Sequence, residues 1–222
     1  MIYGKCQIKF GVLCMITQFF SIGIVVLFGA MLPGPDFVIV TKNSLLYSRQ
    51  SGYFTSFGVG AAILVHMTYC LCGLAFVISN SLLLFGFIKY IGASYLIYLG
   101  INSLFFKQSK GFLSSNKKIQ KKEISNFTSF RQGFLCNLLN PKATLFFLSL
   151  FTVIIKPGTS FSWMSIYALE VFFISTAWFC VLTAILSHSY IKHVLEKAEK
   201  YIAKLLGAFL IGFGVVLAFV RR

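Results

Sequence analysis

The chain has 222 residues, 58% hydrophobic and 11% charged, with mean hydropathy +0.85. Soluble domains carry about 25% charged residues, so this composition excludes a disordered chain, argues against a soluble globule and leaves no polar stretch for a separate soluble domain. The net charge of +15 would suit nucleic acid, but the bases cluster in loops between apolar runs, as membrane topology demands, and no nucleic-acid partner is expected.

A helix needs about 20 apolar residues to cross the hydrocarbon core, and six runs meet that length. The first covers about 10–32 and runs into Met31-Leu32-Pro33-Gly34-Pro35-Asp36. Lys5 and Lys9 flank it, but a cleaved signal normally precedes a soluble or secreted part, and here further spans follow. Met15 is a plausible alternative start. Proline removes a backbone donor and clashes with the preceding turn, so the helix breaks at Pro33-Gly34-Pro35. Apolar residues continue at 37–40, on the far side of Asp36.

The second run covers 57–78 and the third 82–106, joined by a tight turn near Ser79-Asn80-Ser81. Residues 107–130 form a basic loop. The fourth region, 133–155, is interrupted by Asn140-Pro141-Lys142. Residues 143–155 alone would cover about 20 Å at 1.5 Å per residue, short of a ~30 Å core. The break therefore lies within the membrane. The fifth run, 161–186, contains Glu170, and the sixth covers 201–220.

The positive residues set orientation. Lys42 and Arg49, the seven bases from Lys107 to Arg131, and Lys192, Lys197, Lys200 and Lys204 share one side. By the positive-inside rule that side is cytoplasmic, and both termini face the periplasm. The Lys117 to Lys122 run fits either a solvated loop or an anionic-lipid contact.

An internal repeat organises these runs. Gly92-Ala93-Ser94-Tyr95-Leu96-Ile97 and Gly207-Ala208-Phe209-Leu210-Ile211 follow one pattern, with one residue skipped and a glycine beyond each. Each half reads as a break, a full span and a full span. Three crossings per half make the second half inverted relative to the first, a recurrent carrier design with substrate at the repeat interface. The expected fold is an all-α integral membrane protein of six transmembrane helices, arranged as two inverted three-helix repeats (about 15–106 and 131–220) in one domain.

Acids and bases at the breaks are the candidate site. An intramembrane carboxylate is costly and usually functional; Asp36 either caps the helix that follows or meets a proton or a substrate ammonium. Lys142 either snorkels or pairs with a substrate carboxylate or Asp36. Asn140 offers donor and acceptor, or serves only the turn. Glu170 suits a proton relay, or pairs with a base such as Lys89. His66 titrates near neutral pH or packs as a satisfied core histidine. Cys70 and Cys72 lack CxxC spacing, and no metal or cofactor signature is present.

In order and spacing, these strings resemble the LysE/RhtB amino-acid exporters of bacterial inner membranes, over nearly the whole length from Met15. The resemblance rests on Pro33-Gly34-Pro35-Asp36-Phe37, Gly58, the 91–100 string, Gly133-Phe134, Asn137 to Ala143, Phe146-Phe147 and the terminal glycine string. Pro-Gly-Pro-Asp-Phe and Ala177-Trp178-Phe179 look most like its threonine-efflux branch. The resemblance implies multi-pass insertion in the inner membrane and export of small amino acids such as threonine or homoserine, driven by protons, without enzymatic activity and with homo-oligomerisation open. The breaks themselves place Pro33, Gly34, Pro35 and Pro141 in the site set, and the resemblance adds Asn137. Ala62, Ile63 and Lys204 depart from the family pattern. A cation transporter and a thiol redox membrane protein are the rival readings.

Overall fold

The computed structural model describes residues 2–80, 82–105, 124–154, 159–186, 201, 204–215 and 218–219. They form α1 (Ile2–Met31), α2 (Pro35–Leu46), α3 (Arg49–Asn80), α4 (Leu82–Leu104), α5 (Asn126–Leu138), α6 (Pro141–Ile154), α7 (Phe161–Leu186) and α8 (Lys204–Val215), with no strand among the described residues. The protein is multi-pass. Of the described helices, α3 and α7 are each long and apolar enough to cross a membrane alone, and the count reaches 4 if each of two bent pairs is one span.

The bent pairs are the two proline breaks. α1 and α2 meet at 61°, and α5 and α6 at 59°. Pro35 takes the first helical position of α2, where its missing N–H costs nothing, and Gly34 precedes it in extended backbone. Asn140 starts α6 by accepting from the Lys142 amide at 3.0 Å.

The fourth region begins earlier than its apolar run. Ser125 caps α5 by accepting from Thr128 N at 3.1 Å, so 126–130 is helix and not the end of a loop. Ser129, Gly133 and Asn137 are its buried positions. They recur every four residues, so one small, polar stripe faces the protein. A search for apolar runs does not see such a stripe. The basic residues between 106 and 123, and those between 187 and 200, lie outside the described residues.

Lipid is as apolar as a leucine side chain, so close backbone approach through small residues, and not hydrophobicity, holds such helices together. α3 packs on α5 and α7, α1 on α7, and α4 on α6. Gly58 sits against the Phe130 carbonyl and Gly133 against the Thr55 carbonyl, so α3 and α5 touch backbone to backbone. The repeated strings also meet. A Cβ on Gly100 would stand 2.5 Å from the Gly207 carbonyl oxygen, and one on Gly207 would stand 2.6 Å from that of Gly100. Gly214 lies against Ala93 and Ile97, so α4 and α8 cross antiparallel.

Candidate functional site

The two breaks face each other. Asp36, in the first turn of α2, does not cap it: Gly34 is the N-cap and makes no side-chain bond. The Asp36 carboxylate instead reaches the second break, where Oδ2 accepts from Asn137 Nδ2 at 3.0 Å and from Asn140 Nδ2 at 2.9 Å. Asn140 holds both roles foreseen for it, since its Oδ1 caps α6 while its amide holds Asp36. That cap fixes which end of the amide is the donor, because only Oδ1 can accept from a backbone N–H.

Lys142 does not snorkel. Its ammonium crosses to the first break and donates to the Pro33 carbonyl at 3.2 Å. Gly34 leaves it room: a Cβ there would lie 3.0 Å from Nζ. The break frees the Pro33 carbonyl from helical bonding, and the lysine uses it.

Asp36, Gly34, Asn137, Asn140 and Lys142 line one cavity. Its wall is otherwise carbon, from residues such as Val26, Leu32, Ile63, Phe146, Phe147 and Phe179, with Ser175 the one hydroxyl in the lining. The cavity measures about 50 Å³. At roughly 10–15 Å³ per water on this measure, it holds a few waters and no amino acid until the helices part. Asp36 Oδ1 and Asn137 Oδ1 are buried without a protein partner, so two acceptors are open to a ligand.

His66 stands behind this wall and not in it. Nε2 lies 3.1 Å from the Asn137 carbonyl oxygen. A carbonyl only accepts, so Nε2 carries the hydrogen, and in the neutral ring Nδ1 accepts from the Tyr69 hydroxyl beside it. The ring also packs on Phe147. His66 thus pins the residue that holds Asp36.

Glu170 is elsewhere. It is 7% exposed, on α7 against Gly23 of α1, and outside the cavity lining. The side chain of Lys89, its suggested partner, lies outside the described residues.

Sequence reasoning missed a buried polar layer beyond the cavity. Asn43 Nδ2 donates to Thr55 Oγ1 at 2.8 Å and to Gln132 Oε1 at 2.9 Å. Ser44 and Ser56 lie 3.3 and 3.4 Å from Thr183 Oγ1. The layer ties α2, α3, α5 and α7 on the side of the chain that holds Arg49 and Arg131. As for the rival chemistries, Cys70 is buried and Cys72 exposed, and no group of three or more His, Cys, Asp or Glu that could hold a metal exists among the described residues.

Comparison with known proteins gives one family. The profile of the LysE type translocators matches residues 27–221. A leucine efflux protein of Salmonella typhimurium is 31% identical over 199 residues, 86% of this chain and 90% of that protein. Membrane protein YrhP of Bacillus subtilis is 33% identical over 196 residues, 83% and 90% of the two chains. Membrane protein PA4757 of Pseudomonas aeruginosa is 30% identical over 207 residues, 91% and 95%. No solved structure matches with significance.

Proposed function

The chain belongs to the LysE type translocator family, and from that premise we propose that it is a secondary-active exporter of small neutral amino acids across the bacterial inner membrane, driven by protons. One observation carries this reading. Two helix breaks, about a hundred residues apart in sequence, meet so that a carboxylate and an ammonium line the same cavity.

An amino-acid zwitterion needs both signs. Its ammonium fits Asp36 Oδ1 and Asn137 Oδ1, the two open acceptors. Its carboxylate fits the Lys142 ammonium, which spends one donor on Pro33 and has three. The substrate side chain meets the carbon wall, which suits leucine, the substrate in the name of one relative. Ser175 gives a hydroxyl side chain such as that of threonine or homoserine a partner. The candidates for proton coupling are the two acids, Asp36 at the first break and Glu170 on α7.

The transport path runs through six spans in two inverted repeats. The antiparallel α4–α8 crossing supports this, because it joins the two strings that the sequence repeats. The meeting of the two breaks supports it too, since substrate binds at the repeat interface in carriers of this design.

The test is efflux of labelled leucine, threonine and homoserine from preloaded cells, with and without a protonophore. Faster loss than from empty-vector cells, slowed by the protonophore, is expected. No excess loss of any neutral amino acid refutes the reading.

A further inference from the structure

Building on the exporter reading, we infer that the two acids divide the work: Asp36 anchors the substrate ammonium, and Glu170 takes up the coupling proton from the extracytoplasmic side.

Their surroundings differ in kind. Asp36 Oδ2 accepts two amide N–H groups, and the Lys142 ammonium lies across the same cavity. Donors and a nearby cation favour the carboxylate form, and an ionised group is what an ammonium needs. Glu170 has one backbone contact, at Gly23, and no charged or amide side chain beside it among the described residues. Its Oε2 is buried without a partner, and its carboxyl packs on a bare helix backbone, where a Cβ on Gly23 would stand 2.7 Å from Oε1.

Among the described residues, no charged side chain stands beside Glu170. α1 presents Gly23 and, one turn away, Gln18, whose Oε1 accepts from the Tyr167 hydroxyl at 3.2 Å. α2 meets α7 at the opposite end, through Ser44 and Thr183. On α3, His66 bonds to the Tyr69 hydroxyl and to the Asn137 carbonyl, and Cys70 is a buried thiol. A buried carboxylate with one oxygen unpartnered and no opposite charge beside it is costly, so this pocket favours the protonated carboxyl.

The position fits the direction of transport. Along α7, Ser175 and Phe179 line the cavity, and Thr183 joins the polar layer on the basic, cytoplasmic side. Glu170 lies five residues before Ser175, about 7.5 Å in the other direction at 1.5 Å per residue. A proton that drives export arrives from the side to which the amino acid leaves. Glu170 meets it first, and neutralisation lets the carboxyl settle on Gly23 as α1 and α7 close.

The full chain in proteoliposomes tests this with two readouts: exchange of labelled amino acid at equal pH, and accumulation driven by a pH gradient. The wild type should show both; if it moves no amino acid at all, the exporter reading fails and this inference with it. Asp36→Asn should cut exchange and accumulation alike, at least tenfold. Glu170→Gln should keep exchange within about twofold and lose accumulation. Gly23→Ala, which crowds the carboxyl without changing it, should lower accumulation more than exchange. Loss of exchange in Glu170→Gln equal to that in Asp36→Asn, or gradient-driven accumulation by Glu170→Gln at the wild-type level, would overturn the division.

Discussion

Asn140 joins two functions that substitution can separate. Its Oδ1 caps α6 and its amide holds Asp36. Removing a cap of this type costs about 1 kcal/mol, and a hydrogen bond to a charged group contributes about 1.5–3 kcal/mol. Asn140→Ala loses both. Asn140→Ser keeps the cap, since serine is as good an N-cap as asparagine, but its short side chain offers Asp36 no amide. Detergent-solubilised Asn140→Ser should therefore melt about 2–4 °C above Asn140→Ala, the shift that 1 kcal/mol makes in a chain of this size. Transport should not follow that order. Both variants leave Asp36 with one donor fewer, and at 1.4 kcal/mol per factor of ten both should lose about tenfold or more in efflux at subsaturating substrate. Thermal melts and initial efflux rates on the same preparations decide the matter. Wild-type efflux in Asn140→Ser would mean that the residue serves only the helix start and that the bond to Asp36 plays no part in binding.

Three further substitutions probe the surroundings. Gly133→Ala drives a Cβ into the Thr55 carbonyl at the α3–α5 crossing; overpacking of this kind costs about 1–3 kcal/mol, so an unchanged melting temperature would refute the contact. His66→Phe keeps the packing on Phe147 but drops the bond to Asn137; a neutral bond contributes about 0.5–1.5 kcal/mol, so the apparent KM should rise about twofold to tenfold, and an unchanged KM would leave the histidine a packing role. Lys142→Met keeps the stem and removes the ammonium. Competition by the decarboxylated amine should survive that change while competition by the amino acid falls at least tenfold; parallel loss of both would show that the lysine does not read the carboxylate.

The breaks were legible because proline inside apolar sequence has few physical meanings. Pro33, Pro35 and Pro141 located both bends, and the opposite charges at Asp36 and Lys142 suggested that they meet. The capping role weighed for Asp36 is not the one the structure shows: once Pro35 takes the first helical position, Gly34 becomes the cap and the carboxylate is free to face α5. The start of α5 was hidden because its buried face is Ser129, Gly133 and Asn137, small and polar where an apolar run was sought. The role of Asn137 came only with the family resemblance, since nothing local distinguishes an asparagine near a helix end. The layer of Asn43, Thr55 and Gln132 was out of reach for a different reason. Gln132 is 89 residues from Asn43 in sequence, and no local pattern encodes a pairing that depends on how α2 and α5 come together.

At Gly100 and Gly207 the two backbones are so close that neither helix can slide along the other without a carbonyl striking a Cα. Rotation remains. What the contact does fix is register: Gly100 stays opposite Gly207, and the two strings that the sequence repeats are held together backbone to backbone. A side chain larger than hydrogen at either glycine would meet the facing carbonyl and force the two backbones apart, at a crossing whose glycines do not line the cavity beside Asp36.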